Sequence, residues 1–149
     1  MLKPGDLVFV EGTSFLTQSI LDLTKSDVSH VGIVLAFDPI LQFPIIIEST
    51  YPRVRVAPLD VMKAEDPTVY LMEDLTLTDE ERAVVVRDAL TFYNAEYSLT
   101  KAVLLGFDKR FKTYWFSENL DYTSDPICCW LAVHGRRAVN RFFGQAPDA

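Results

Sequence analysis

Two adjacent cysteines, Cys128 and Cys129, lie where the sequence predicts the start of the last long helix. Asp125 is a favoured N-cap residue type, and Pro126 suits the first helical position because its missing N–H would have no partner there. Free backbone N–H groups and the helix dipole favour a thiolate over a thiol in this first turn. The segment therefore predicts a cysteine nucleophile, which needs a nearby base.

The two thiols are distinguished by their helical facing. Cys128 shares a face with Leu131 and Ala132, which should pack on a sheet, whereas Cys129 is rotated by about 100°. Adjacent cysteines form only a strained mutual disulfide, and two scattered histidines do not complete a zinc site. We therefore predict Cys128 as the nucleophile, with no metal and no cofactor. A simply buried thiol is the alternative, because free cysteine is often buried.

The sequence contains two histidines, and helix geometry excludes one of them as the base. His134 follows Cys128 by six residues, a rise of about 9 Å with a different facing, so it cannot touch the sulfur. His30 opens a Val- and Ile-rich strand, where tertiary folding could bring it to the cysteine. Small residues on the same strand face leave room for a helix or a substrate. A hydrogen-bonded core histidine is the alternative.

A carboxylate that orients the imidazole is the third requirement. Glu48 ends the apolar run Ile45–Ile47, and a hairpin turning at Asp38-Pro39 would bring it within about two residues of His30. A carboxylate beside isoleucines is costly to bury unless it has a partner. Asp27 is a weaker rival because it is too close to His30 in sequence, and a solvent-facing Glu48 is the alternative.

Hydrophobic periodicity and turn residues define the elements that must position these side chains. We predict strands over 7–10, 29–37, 44–50, 53–56 and 68–72, helices over 13–25, 59–64, 78–94, 98–107 and 125–143, and a long loop over 109–124. This order predicts an α+β fold. A mostly antiparallel sheet or small barrel packs against helices, and the nucleophile lies at the N-terminus of the last long helix. We expect one domain over residues 1–149.

Composition narrows the classes of partner. Of the 149 residues 49% are hydrophobic, and the formal net charge of −7 argues against a general nucleic-acid-binding surface. No apolar run approaches the roughly 20 residues of a transmembrane span. The N-terminus lacks the long apolar region of a signal peptide, so we expect a cytoplasmic protein. The sequence leaves the oligomeric state open.

Four motif blocks resemble those of a known family: Pro4–Phe9, Ser29–Val34, Ile47–Ser49 and Ile127–Leu131. They are similar to the successive blocks of circularly permuted papain-like amidases of the YiiX/YaeF type, which are related to NlpC cell-wall peptidases and lecithin:retinol-acyltransferase-like enzymes. In such permuted proteins the histidine strand precedes the nucleophile helix. The resemblance implies that Cys128 is the nucleophile, His30 the base and Glu48 the orienting group.

The chemistry implied is acyl transfer through a thioester. The N–H of Cys128 is a natural oxyanion donor, and Gln18 is a candidate second donor, with an ordinary helix-surface residue as the alternative. Cys129 and Trp130 stand where the family commonly has a small polar residue and then an acid, so they are candidate substrate contacts.

Three functions are therefore open. The first is an amidase or peptidase acting on peptidoglycan-type peptides or another small amide. The second is a lipid acyl hydrolase or acyltransferase with the same Cys-His site, acting on an apolar acyl chain. The third is a binding module that keeps the groove and has lost turnover, an interpretation favoured by the bulky Trp130 beside the nucleophile.

Overall fold

The computed structural model describes residues 2–12, 28–40, 43–65, 68–113, 115, 119 and 127–139. The strands are β1 (Leu7–Glu11), β2 (His30–Phe37), β3 (Pro44–Ser49), β4 (Val54–Pro58) and β5 (Thr68–Met72). The helices are α1 (Leu59–Glu65), α2 (Asp79–Thr91), α3 (Leu99–Phe111) and α4 (Cys128–Ala138). All five strands correspond to predicted ones. The helix predicted over 13–25, which includes Gln18, lies outside the described residues.

The strands form one sheet in the order β4-β3-β2-β1-β5. Each neighbouring pair is antiparallel, and β2, β3 and β4 follow one another as hairpins. The predicted α+β fold with an antiparallel sheet is thus confirmed. Of the two predicted forms, the described strands make the open sheet and not the barrel, because β4 and β5 lie at opposite edges.

Helices cover both faces of this sheet. On one face, α2 and α4 pack over a cluster that includes Leu7, Ile33, Ile47 and Leu131. On the other face, α1 covers a second cluster of Val8, Val10, Val34, Ile46, Leu59 and Met62. Burial on both faces explains why β2 and β3 are continuous Val and Ile runs instead of alternating with polar residues.

Gly32 in β2 marks a close approach between the sheet and α1. A Cβ atom at this position would lie 2.6 Å from Cγ2 of Ile46 and 3.2 Å from Cε of Met62. We expect Gly32→Ala to lower the free energy of unfolding by about 1–3 kcal/mol, since an added methyl group overpacks a filled site. Urea unfolding measures this loss. Ala36→Ser, at an exposed position of the same strand, is the control, and a Gly32→Ala protein as stable as the wild type would contradict the expectation.

The ends of α2 and α3 follow from local residue chemistry. A capping box begins α2, because the Thr78 hydroxyl accepts from the Glu81 N–H and the Glu81 carboxylate accepts from the Thr78 N–H. Helix α3 begins after its N-cap, Ser98, and ends at Phe111. The prediction of a loop from 109 is therefore wrong at its start. In the extra turn the rings of Phe107 and Phe111, four residues apart, stack with their centroids 6.0 Å apart, a pairing that favours the helix.

The predicted start of the nucleophile helix at Asp125 is also wrong. Helix α4 begins at Cys128, and its N-cap is Ile127, whose φ of −97° and ψ of 164° are extended. The Ile127 carbonyl accepts the first helical bond, from the Leu131 N–H at 3.1 Å. Because Ile127 is extended, Cys128 is the first residue of this helix. The predicted helix end near residue 143 lies outside the described residues.

A network of buried charged side chains links the start of β1 to α2 and α4. Asp6, just before β1, accepts from Nη1 of Arg82 at 2.7 Å and from the N–H of Asp74 at 2.9 Å. Asp74 in turn forms an ion pair with Arg136 of α4. All four side chains are buried. This network links the start of the sheet to α2 and to the helix that carries Cys128.

Candidate active site

His30 is fixed in place by the residue before it. The N–H of Ser29 donates to the carbonyl of Val10 at 2.9 Å, and the Ser29 hydroxyl donates to the same carbonyl at 3.1 Å. That hydroxyl also accepts from the N–H of Gly12 at 3.0 Å. Since these bonds join the start of β2 to the end of β1, the imidazole is held at the end of the sheet. Ser29 begins the second motif block, but the sequence does not predict this positioning role.

Glu48 reaches His30 across the predicted hairpin. Glu48 pairs with Gly32, so it lies two residues along from His30 on the same face of the sheet. Its Oε2 atom is 2.5 Å from Nε2 of His30. The Glu48 side chain is only 3% exposed and that of His30 18%. The structure thus brings the predicted base and the predicted orienting carboxylate into direct contact.

Arg55 on β4 is a member of the site that the sequence analysis does not predict. It pairs directly with Glu48 in the sheet register, and its Nε donates to Oε1 of Glu48 at 2.8 Å. Its terminal nitrogens bond the carboxylate of Glu65 on α1, Nη1 to Oε1 at 3.1 Å. The available signal was the turn at Tyr51-Pro52, which places residues 48 and 55 opposite each other with opposite charges.

Cys128 interacts with the imidazole of His30. The cysteine is half-buried and packs against the core cluster under α4, and its side chain forms a hydrogen bond with His30. Because Nε2 of His30 is bonded to Glu48, Nδ1 is the ring nitrogen left for the sulfur. The three predicted residues therefore form one connected chain: Cys128, His30 and Glu48.

Electrostatics in this chain favour a charged imidazole. Burial lowers the pKa of His30, but hydrogen bonds and charge attraction from Cys128 and Glu48 outweigh burial and raise the pKa from 6.5 to about 10. Burial raises the pKa of Glu48, yet His30 and Arg55 together bring it below its ordinary value. The attraction between imidazolium and sulfur is mutual, so it also favours the thiolate. At neutral pH the imidazole of His30 is therefore protonated beside the sulfur of Cys128.

The remaining candidate residues lie elsewhere or outside the description. His134 bonds through Nδ1 to Oδ2 of Asp88 at 2.7 Å, and its ring meets Phe92 edge to face. It therefore joins α4 to α2, consistent with its exclusion as the base. The backbone of Cys129 and Trp130 belongs to the first turn of α4, but their side chains, like Gln18, lie outside the described part.

Two properties of the described residues bear on metals and membranes. Across those ranges, no group of three or more His, Cys, Asp or Glu side chains is arranged to hold a metal ion. None of the helices in the described ranges has the length and apolar character needed to cross a membrane.

Comparison with known proteins places the fold. The sequence matches no protein-family model and no curated protein. An α+β fold of this kind, with an antiparallel sheet covered by helices, is shared by a solved structure, described as the metalloprotein yiiX from Escherichia coli O157:H7, DUF1105. The TM-score is 0.69 over 95% of this chain and 68% of that chain, at 16% identity. The predicted resemblance to YiiX is thus confirmed at the level of the fold.

Proposed function

We propose that this protein is a cysteine hydrolase of the permuted papain-like type, with amides as its preferred substrates. The observation that carries the proposal is the chain of contacts from Cys128 through His30 to Glu48. A nucleophile, a base in contact with it and a group that orients the base are the parts that covalent catalysis requires. The order of the parts, with the histidine strand before the nucleophile helix, is the permuted order.

The reaction follows from the positions of these groups. The Cys128 thiolate attacks the carbonyl carbon of an amide, and the tetrahedral oxyanion forms beside the first N–H groups of α4, which the helix itself does not use. Imidazolium His30 then donates its proton to the leaving amine as the C–N bond breaks, and a thioester remains. Neutral His30 next takes a proton from water, which attacks the thioester and releases the acid and Cys128.

The metal in the neighbour's description has no counterpart in this proposal. A structural zinc site takes four protein ligands and a catalytic one takes three. Cys128 and one nitrogen of His30 offer two, because the other imidazole nitrogen and both oxygens of Glu48 are already bonded to protein groups. These residues do not fit a metal centre, and no step of the reaction passes through one.

The proposal is tested by trapping the acyl-enzyme. We expect incubation with a panel of cell-wall peptides, other small amides and acyl esters to yield a mass adduct on Cys128, located by fragmentation between Cys128 and Cys129. Cys128→Ser should lose the thioester, and Cys129→Ser should retain the adduct on Cys128. Added EDTA should leave adduct formation unchanged.

The outcomes separate the three functions. An adduct formed from peptides supports the amidase, whereas one formed from acyl esters alone supports a lipid acyl hydrolase or acyltransferase. Binding of a panel member without an adduct, together with no labelling of Cys128 by a thiol-reactive probe at neutral pH, would overturn the hydrolase proposal in favour of a binding module.

A further inference from the structure

The ionic contacts of the site extend two residues beyond the proposed catalytic group. From α4 to α1 the chain runs Cys128, His30, Glu48, Arg55 and Glu65, and negative and positive side chains alternate along it when the thiol is ionised. Each member comes from a different element. Side-chain exposure rises from 3% at Glu48 to 35% at Arg55 and 53% at Glu65, so the chain leads from the interior to the surface.

We propose that Arg55, held by Glu65, is a positioning residue that keeps Glu48 ionised and directed at His30; this inference rests on the proposed function. Glu48 has one oxygen for each partner: Oε1 accepts from Arg55 at 2.8 Å, and Oε2 faces His30 at 2.5 Å. Occupation of Oε1 fixes the rotation of the carboxylate, so that Oε2 is presented to the imidazole.

The side-chain chemistry suits this role. The planar guanidinium of arginine donates several N–H bonds in a fixed geometry, and it stays charged at all relevant pH values. Here Nε donates to Glu48 and the two terminal nitrogens donate to Glu65, so the plane of the guanidinium group is fixed. A lysine would bring the same charge without that fixed plane. Arg55 touches neither the sulfur nor the imidazole, so it acts only through Glu48.

Charge also determines which way the pH profile should move. In the described structure, the charged groups that face Glu48 are His30 on β2 and Arg55 on β4. The group that faces His30 from α4 is Cys128. Loss of the Arg55 charge makes proton uptake by Glu48 and Cys128 easier. Glu48 then takes up its proton at a higher pH, and the thiolate of Cys128 also becomes protonated at a higher pH. The acid limb of Cys128 reactivity should therefore move up in pH.

The experiment measures alkylation of Cys128 by iodoacetamide from pH 4 to pH 10, with the modified residue located by tandem mass spectrometry. We expect Arg55→Gln to react about three- to tenfold more slowly than the wild type at pH 5 and to converge with it near pH 8. Arg55→Lys, which keeps the charge, should recover much of that loss. The matched control is Arg53→Gln, because Arg53 is exposed and bonds Asn94 away from the site.

The possible failures are distinguishable. The wild type is first tested for reactivity at acid-shifted pH. If it shows this reactivity and a folded Arg55→Gln protein has the same profile, the role of Arg55 is overturned and the hydrolase proposal stays intact. A wild-type profile that rises only near pH 8.5, as for an ordinary thiol, would overturn both. Where Arg55→Gln does not fold, Arg55→Met keeps the apolar stem of the side chain and carries the same expectation.

Discussion

Replacement of His30 by glutamine is expected to slow turnover of a substrate that forms the Cys128 adduct by about 10²–10⁴-fold, the usual contribution of a positioned acid–base group. The glutamine amide can still hydrogen-bond Glu48. It cannot become positively charged, and it cannot act as a general acid or base. Cys128 should therefore behave as an ordinary thiol in the variant. The measurements are the turnover number and the rate of alkylation as a function of pH.

The raised pKa of His30 predicts the shapes of the two profiles. In the wild type the imidazolium persists up to about pH 10, so alkylation should be nearly flat from weakly acidic pH to that point. In His30→Gln it should rise about tenfold per pH unit until about pH 8.5, the ordinary pKa of a thiol. The raised pKa of His30 should also stabilise the fold. Because the pKa of His30 in the folded protein lies above its value in the unfolded chain, the contribution of His30 is complete below about pH 6.5 and is lost as the pH rises through about 10.

His134→Asn is the matched control for this comparison. Asparagine keeps a nitrogen near the position of Nδ1, so the contact with Asp88 is replaced by a similar one, and the proposed active site is unchanged. We expect its pH profile to follow that of the wild type. A His134→Asn protein that loses the flat profile while His30→Gln keeps it would show that the base has been assigned to the wrong histidine.

The fold was predictable because most of its determinants are local. The Val and Ile runs of β2 and β3 show burial directly, and the Thr78 cap with Glu81 three residues later marks the start of α2. The exact residue at which a helix begins was less predictable. Asp125 and Pro126 are the residue types favoured at a helix start, yet the extended backbone at Ile127 delays the helix to Cys128. The thiol keeps its place in the first turn in either case.

The site was only partly predictable because its outer members depend on register. Elimination among few candidates was enough to select Cys128 and His30, and the short hairpin brought Glu48 within range. Arg55 lies in a strand that alternates arginine and valine, a pattern typical of one wet face. A turn centred on Tyr51-Pro52 would pair it with Glu48, but the sequence does not fix the centre of that turn, and the register is known only from the structure. Asp6 is similar, because the cation that accounts for its burial comes from α2, distant in sequence.

Asp6→Ala is expected to lower the free energy of unfolding by about 3–5 kcal/mol, because it leaves the buried guanidinium of Arg82 without its carboxylate. The side chains of the pair are 1% and 6% exposed, so water cannot replace the lost partner. Further bonds are lost at the same time: the Asp6 carboxylate also accepts from the N–H groups of Lys3 and Asp74. Urea unfolding of the purified variant measures the loss.

A surface ion pair provides the control. Arg53 and Glu96 lie 3.9 Å apart with side chains 52% and 76% exposed, so Glu96→Ala should change stability by about 0–1 kcal/mol. A loss at Asp6 no larger than the loss at Glu96 would contradict the expectation. The double variant Asp6→Ala/Arg82→Met distinguishes the causes. It should be less destabilised than the sum of its single variants, since an uncompensated buried charge is then no longer left behind.

The same network should support the proposed active site only through the stability of the fold. Asp74 joins Asp6 to Arg136, which lies on the helix whose first residue is Cys128. The network does not touch the sulfur or the imidazole, so its loss should leave the shape of the alkylation profile unchanged in molecules that remain folded. Reactivity should instead lose its acid-shifted profile at the lower temperature at which Asp6→Ala unfolds. Alkylation measured below and above that temperature therefore distinguishes Asp6, which maintains the fold, from His30, which favours the thiolate.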